Sequence, residues 1–587
     1  MKMKDSPLAP CVILRDDTQR IWLRFTKPCR VITTYQIREV LPLIREIEEK
    51  TQKDNLYAAG FLSYESAPAF DPSLSVRKDN AFPLLWFGLF EQAETFTPPA
   101  ADERPFPSIL WHPSVTPEHY RRRINAIRQL IHDGDTYQVN FTYRLSAQTN
   151  LEPWLLFLRI AGDEQAPFAA YADTGEWAIL SASPELFLKI DGEQIESRPM
   201  KGTAARGLWF EDDQSKKSLL GHSEKDRAEN VMITDMVRND LGRVATAGSV
   251  RVSSLFRIER YPTVWQMTSR VRAQTREPLD KILQATFPPA SITGAPKHRT
   301  MEIIANLESS PRRIYTGAIG FTAPGHRAQF SVAIRTILLH KESGRAEYGV
   351  GGGIVWDSNP ENEYEECLTK TKVLQPAIRN FDLLETFCWT PQNGYRLLDA
   401  HLKRLAQSAK YFGFHADLGR IRVELDKIAN CLPAKLHRIR LLVSRRGSIR
   451  CEAALLDPDT LRFESVGLAQ NPVDSRDVFL YHKTTRRQMY ENAAGTYAKS
   501  GDILLFNEAR QITESTVANV AVSIDGHLYT PPVQCGLLPG TERARLLGLG
   551  RIRERIISIE DVLKSESIYL MNSVRGMHKI QIRTFDK

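Results

Sequence analysis

Two lysines and four carboxylates in this chain have residue types and spacings that support chemistry. Lys201 sits in "SRPMKGTAARG" (197–207), between a methionine and a glycine, where a strand-like run enters a turn. An amine there is either a nucleophile or half of a structural ion pair, and the local sequence leaves both open. Asp226 and Glu229 lie three residues apart in "EKDRAENVMITDMVRNDLGRV" (224–244), hence on one helical face; Glu363 and Glu366 repeat the spacing in "NPENEYEECLTKTKVL". Four such acids suit a hard divalent ion with retained waters, or else form two solvated acidic faces. The second lysine, Lys483 in "FLYHKTTRRQMYENAAG" (479–495), is placed at a strand-to-helix transition among basic residues. Basic neighbours depress an amine's pKa, which helps imine formation; a basic surface patch is the alternative.

The elements that must position these groups follow from periodicity. The stretch 224–244 reads as a helix, and a second helix opens at Asn359 as cap with Pro360 at its first position. "PPASITGAPKHRTMEIIANLE" (288–308) reads as a Gly/Pro turn that delivers Thr293 and begins a helix whose free N–H groups suit a carboxylate. "RRIYTGAIGF" and "AQFSVAIRTILL" read as strands, with Arg335 on the face opposite Phe330, Val332 and Ile334; it is a fork for a carboxylate or a surface charge. "YGVGGGIV" (348–355) places Gly351, Gly352 and Gly353 inside an apolar strand, for close approach of a ligand or for packing.

At 587 residues the chain exceeds one ordinary core, and roughly 100–200 residues per domain predicts two to four units. Apolar residues at 42% and charged residues at 25% are those of a globular protein. The net charge of +8 arises from 78 basic and 70 acidic residues interspersed throughout, which favours small anions over nucleic acid. The densest basic run, "YRRRINAIRQLI" (120–131), carries Ile124, Ile127 and Ile131 at helical spacing, so its arginines form a solvated face. Seven cysteines without a CxxC pair fit a reducing compartment. No leader-like segment and no run of eighteen apolar residues is present, so a cytoplasmic protein without membrane spans is expected. A Pro-rich piece, "TFTPPAADERPFPS", closes an N-terminal part (1–110), helix and strand patterns alternate over 118–375, and a new unit begins after "LQPAIRN". The expected division is 1–375 and 376–587, both mixed α/β (α+β).

"DGDTYQVNFT", "SASPELFL", "RPMKGTA", "KDRAENVMITDMVRNDLGRV", "FPPASITGAPK", "AIRT" and "GGGIVWDSNPENEYEE", in this order over about 360 residues, resemble the chorismate-binding enzymes. The resemblance implies that Glu229 and Glu366 bind Mg²⁺, with Asp226 and Glu363 as outer partners. It also implies that Thr203, Gly202, Thr293, Tyr315, Arg335, Gly351, Gly352 and Gly353 line the substrate site. In the branch of the family that aminates carbon 4, the Lys201 position is lysine; anthranilate synthases carry alanine in the same frame. The resemblance therefore implies a nucleophilic Lys201 whose pKa burial and Arg198 depress. An anthranilate synthase is the alternative. Gln266, in "VWQM", stands where many relatives carry histidine, and cannot take a proton at neutral pH. Ser183 matches a segment that binds regulatory tryptophan in relatives, but no feedback control is expected from it. No glutaminase nucleophile segment is present, so ammonia is expected from a separate glutamine amidotransferase subunit.

"LLFNEARQITESTVANVAVSIDGHLYTPPVQCGLLPGTERARLL" (504–547) resembles the class IV aminotransferases, fold-type IV pyridoxal-phosphate enzymes. The resemblance implies that Lys483 forms the Schiff base with pyridoxal 5′-phosphate, Glu514 pairs with the pyridine nitrogen, and Arg404, Gly540 and Thr541 hold the phosphate. Thr386 matches the substrate's edge of the site, and Glu542 stands where relatives commonly carry a hydroxyl residue. The family includes transaminases and 4-amino-4-deoxychorismate lyase; fusion to a chorismate-binding unit favours the lyase, with a transaminase as the alternative. Class IV relatives usually dimerise, so a homodimer through this unit is compatible with the resemblance.

Overall fold

The computed structural model describes residues 7–17, 19–99, 109–161, 166–374, 381–457, 465–494 and 502–582. Residues 100–108 of the expected Pro-rich connection and 375–380 of the expected join lie outside them. The chain divides into two compact units: Met1–Arg206 with Lys216–Ala377, and Gly207–Ser215 with Ile378–Lys587.

The first unit is built on two ten-stranded sheets packed face to face. Val12, Leu14, Ala170, Ile179 and Leu338 of one sheet meet Phe61, Trp86, Ile319 and Phe321 of the other in a shared core. Helices cover the outer faces. Val40, Ile44 and Ile47 of helix Ile37–Lys53 pack on one side; Ile124 and Ile127 of helix Pro117–His132, with Trp154 and Phe157, pack on the other. The isoleucine stripe of the densest basic run is thus core, and its arginines face outward.

Four elements carry the candidate groups. Strand Gln138–Gln148 lies between Gly294–Ala295 and Arg345–Ile354, pairing Gly351 with Thr142 and Gly353 with Asn140. Strand Met200–Ala205 is at the edge of the second sheet, beside Val264–Gln274. Helix Glu224–Gly242 starts where the Ser223 side chain accepts from Asp226 N–H, and helix Pro360–Thr371 where Asn359 accepts from Asn362 N–H. The strand expected through Arg335 is broken. Arg327–Val332 and Thr336–His340 belong to different sheets, and Arg335 adopts a left-handed φ of 51° at the crossing. An alternating pattern assumes one continuous strand, so its assignment of Arg335 to a strand face does not hold.

In the second unit a four-stranded sheet including Leu383–Thr390 and His437–Val443 packs on helices Leu398–Phe412 and Leu418–Cys431. The first of these helices ends at Gly413, whose φ of +76° suits glycine. An eight-stranded mixed sheet forms the other core, with Ser465–Leu468 parallel to Asp502–Phe506. Gly207–Ser215 is part of this unit: Trp209 stacks on Tyr481 at 5.4 Å between ring centroids, and Tyr411 Oη donates to the Gly207 carbonyl at 2.6 Å. Among the described residues no helix is long and apolar enough to cross a membrane.

Candidate active sites

In the first unit Lys201 and three acids come together. Lys201 Nζ lies 3.9 Å from Glu229 Oε2, largely out of solvent. A Cβ on Gly353 would collide with that Nζ, so the third glycine of the triplet leaves room for the amine. A Cβ on Gly352 would face Glu363 Oε2 at 3.3 Å, and one on Gly351 would enter the neighbouring strand's backbone at Phe141. Gly202, at φ +90°, packs against Asp226, which brings the first turn of helix Glu224–Gly242 onto Lys201's strand. Asn230 Nδ2 fixes that strand by donating to the Lys201 carbonyl at 3.3 Å.

Glu229, Glu363 and Glu366 occupy different electrostatic states. Burial raises Glu229, with Lys201 and Lys225 opposing and the charges of Asp226 and Glu366 adding to it. Glu363 is raised by burial and by Glu366, against a hydrogen bond from Ser358 Oγ at 2.7 Å. Burial also acts on Glu366, but Lys370, bonded at 2.8 Å, outweighs it and holds the carboxylate below its ordinary value. Lys370 also donates to the Gly351 carbonyl at 2.8 Å, linking the glycine strand to helix Pro360–Thr371. Among the described residues no three acids, histidines or cysteines form a metal cage of their own. Magnesium keeps several waters and takes one or two carboxylates, and buried acids of which Glu229 and Glu363 are raised by a neighbouring carboxylate fit such a cation.

The remaining expected contacts separate. Tyr315 is buried with its ring under the Arg144 guanidinium at 5.1 Å, and a Cβ on Gly349 would enter that ring. Arg335 lies over the Tyr261 ring at 5.4 Å. Thr293 is fully buried and turns its hydroxyl to the Pro289 and Ala290 carbonyls, so it closes its own turn. The Arg198 guanidinium bonds Asp17 at 2.7 Å and Glu196 at 2.5 Å. Gln266 accepts from Thr203 Oγ1 at 3.1 Å and donates to the Gly202 carbonyl at 2.9 Å, clamping the backbone next to Lys201.

Glu185 was not foreseen from the sequence. It is buried, accepts from Ser291 Oγ, and burial pushes its carboxyl up to about 7, with Lys201 and Arg335 opposing. This is an acid that can give and take a proton near neutrality within the field of Lys201. It stands two residues past Ser183 in "SASPELFL". A carboxylate inside an apolar strand pair was the available signal.

In the second unit Lys483 lies in the loop between Val478–Leu480 and helix Gln488–Ala494, its carbonyl accepting from Leu384 N–H at 3.0 Å; no strand leads into it. Burial, then Arg404 and Arg487, bring its amine down to about 8, with Glu385 and Glu514 opposing. Burial raises Glu514 to about 7 while Tyr490 Oη donates to it at 2.7 Å and Leu538 N–H at 3.2 Å. Arg404 spends half its fork on Glu385: Nε and Nη2 bond the carboxylate at 2.9 and 2.6 Å, and Nη1 bonds the Pro539 carbonyl. Nη2 also lies 3.5 Å from His401 Nδ1, and Nη1 carries a second N–H beyond the one on Pro539 that suits an anion. His401 joins the same Glu385 at 2.7 Å and reaches Thr541 Oγ1 at 3.2 Å. Burial acts to raise Glu385, but Arg404 and His401 carry it down to about 2. Gly540 caps helix Thr541–Gly548, whose open N–H groups suit a phosphate. Thr386 lies half-buried on strand Leu383–Thr390, and Glu542 is tied to Arg396 at 3.0 Å and Arg545 at 2.7 Å. A depressed lysine, a buried acid and an anion cradle fit pyridoxal phosphate.

The family model described as chorismate binding enzyme matches residues 9–376. The chain belongs to the chorismate-binding enzymes. Residues 382–582 of this family member match a second model, amino-transferase class IV, which implies pyridoxal 5′-phosphate as cofactor. The chain is 42% identical over 262 residues to aminodeoxychorismate synthase component 1 of Escherichia coli, covering 44% of this chain and 57% of that protein. For the Bacillus subtilis (strain 168) protein of the same name the figures are 40% over 265 residues, 45% and 56%. The chain thus spans about half the length of these curated relatives. Among solved structures, anthranilate synthase component I from Streptococcus pneumoniae shares the fold of the chorismate-binding enzyme, with a TM-score of 0.51 at 23% identity over 64% of this chain and 95% of that one.

Proposed function

We propose that the chain makes 4-aminobenzoate from chorismate in two steps, amination by residues 1–375 and elimination of pyruvate by residues 376–587. The observation that carries the reading is Lys201, a placed amine between Glu229 and the Gly353 α-carbon in a chorismate-binding fold. Lys201 attacks carbon 2 of chorismate while both ring double bonds shift by one position and the 4-hydroxyl leaves as water with a proton from Glu185. Ammonia then bonds carbon 4, the lysine leaves carbon 2 with its electron pair, and the surplus proton returns to Glu185. The product is 4-amino-4-deoxychorismate. Glu229 and Glu366 would hold Mg²⁺, with Asp226 and Glu363 behind them, and the ion would neutralise substrate carboxylate charge.

Relatives named as component 1 support a second component, and a separate glutamine amidotransferase is the proposed ammonia source. In the second unit pyridoxal phosphate, when bound, supplies an electron sink. Lys483 carries it and moves the carbon-4 proton, Glu514 holds the pyridine proton, and Arg404 with the N–H groups around Gly540 and Thr541 balances the phosphate. Loss of the carbon-4 proton and of the enolpyruvyl group as pyruvate leaves an aromatic ring. The test supplies purified protein with chorismate, Mg²⁺ and ammonium, with and without pyridoxal phosphate, and identifies the products by chromatography. 4-Aminobenzoate with pyruvate is expected; 2-aminobenzoate would assign an anthranilate synthase instead, and amino-group exchange with a keto acid a transaminase.

A further inference from the structure

Glu514, the acid proposed for the pyridine nitrogen, is surrounded by donors. Among the described residues three bond its carboxylate: Tyr490 Oη at 2.7 Å and Leu538 N–H at 3.2 Å on Oε1, and Asn519 Nδ2 at 3.1 Å on Oε2. A carboxylate offers about four acceptor positions, and with Oε1 doubly bonded the open one lies on Oε2. Two of the donors cannot reverse. Leu538 presents a backbone N–H, and Asn519 is fixed with its NH₂ toward Glu514 because the same group donates to the Leu538 carbonyl at 2.9 Å. Tyr490 alone of the three carries a hydroxyl that also accepts. An ionised Glu514 satisfies all three donors, whereas a protonated one must turn its O–H on the phenol oxygen and forfeit the bond that Tyr490 gives.

Tyr490 is built into this place. It stands on helix Gln488–Ala494, which follows the Lys483 loop, is 8% exposed, and belongs to the core that includes Leu504 and Val520, with the Arg487 guanidinium over its ring at 4.5 Å. Burial, with the charge of Glu514, holds its phenol well above the ordinary value, so it keeps its proton to donate. Burial pushes the Glu514 carboxyl up to about 7, and the bond from Tyr490 stands first among the influences that oppose burial, ahead of Leu538, Lys483 and Arg487. We propose that Tyr490 is a positioning residue for the pyridine proton: its hydroxyl keeps Glu514 ionised and leaves Oε2 for the ring N–H, so that the bound cofactor stays the stronger electron sink. The inference rests on the reading of the second unit as a pyridoxal-phosphate site. Only a proton changes place in this role. With the phenol present it sits on the ring nitrogen and Glu514 is the anion; without the phenol it passes to Oε2, and the nitrogen keeps its lone pair.

The experiment loads the full chain with pyridoxal phosphate carrying nitrogen-15 in its ring and records the NMR shift of that nitrogen, which separates protonated from unprotonated pyridine, for wild type, Tyr490→Phe and Glu514→Gln. Phenylalanine keeps a ring under Arg487 and removes only the hydroxyl. At neutral pH the expected result is a protonated nitrogen in wild type, an unprotonated one in Glu514→Gln, and a Tyr490→Phe signal displaced at least about half of the way between them. Pyruvate release from supplied 4-amino-4-deoxychorismate should fall about tenfold or more in Tyr490→Phe with KM within about twofold of wild type, the scale of one lost hydrogen bond to a charged group. A Tyr490→Phe signal that coincides with wild type overturns the proposal whatever the rate does, because the phenol then acts through packing alone; an unprotonated nitrogen in the wild type overturns it as well. Thermal melting checks each variant, and Tyr490→Met replaces the phenylalanine variant if the latter melts early. The underlying reading has its own readout: a wild-type chain that takes up no cofactor, followed by absorbance, would overturn the assignment of the site, whereas a bound cofactor with an unmoved nitrogen signal sinks the role of Tyr490 alone.

Discussion

The two lysines are set in opposite surroundings. Lys201 faces carboxylates, Glu229 at 3.9 Å and Glu185 within its field, groups that can take up or return protons as a covalent bond forms and breaks. Lys483 is brought down to about 8 by burial and then by Arg404 and Arg487, which outweigh the carboxylates of Glu385 and Glu514. Under the proposed function the difference teaches that one nucleophile, used twice, needs two environments. An amine that turns over with each substrate needs a proton shuttle, whereas an amine that must wait for a resident aldehyde needs its proton removed in advance.

The largest predicted effect separates the two. Lys201→Ala should lower amination at least about a thousandfold and leave pyruvate release from supplied 4-amino-4-deoxychorismate intact; Lys483→Ala should do the reverse. A variant that abolished both activities would break the comparison. Glu385→Gln comes next. It leaves Arg404 and His401 without their buried counter-charge and should cost about 3–5 kcal/mol, read as earlier cofactor loss and melting. Because the folded state depresses the Glu385 carboxyl to about 2, its stabilisation is complete above the ordinary carboxylate range and is lost as pH falls toward 2.

Glu185→Gln should lower amination about a hundredfold, and the wild-type rate should fall as pH rises through about 7, where Glu185 loses the proton it must donate. A flat profile across that range would remove the acid from the first site. On the other side of the comparison, capture of added pyridoxal phosphate, followed by absorbance, should accelerate as pH rises through about 8 and then level off. The smallest effect belongs to Gln266→Leu. It removes the two hydrogen bonds that clamp Gly202 and Thr203 and should cost about 1–3 kcal/mol of stability, with part of the amination rate surviving.

Much of this was legible in the chain. The order of short motifs identified both families, and the mixed α/β class followed from alternating helix and strand patterns. Helix starts were local and so readable, as at Asn359 and Pro360. Lys370, four residues beyond Glu366 on the same helix, also stood at readable spacing and was passed over. What escaped was set by distant partners. Glu185 is completed by Ser291, 106 residues away, which leaves no trace in its own stretch, and Arg198 is shared between Glu196, two residues away, and Asp17, 181 residues away. The path through Arg335 escaped for another reason: one left-handed residue moves the chain between sheets without disturbing the apolar alternation on either side.

The short run Gly207–Ser215 has a practical meaning for anyone dividing this polypeptide. It follows the Lys201 strand in sequence yet supplies Trp209 and a hydrogen-bonded carbonyl to the second core, against Tyr481 and Tyr411. A clone that starts at the obvious family boundary would therefore produce a second half with a missing plug, and its Lys483 loop, two residues beyond Tyr481, would lose its aromatic backing. Modules that look separable on a linear map are in this respect interlaced.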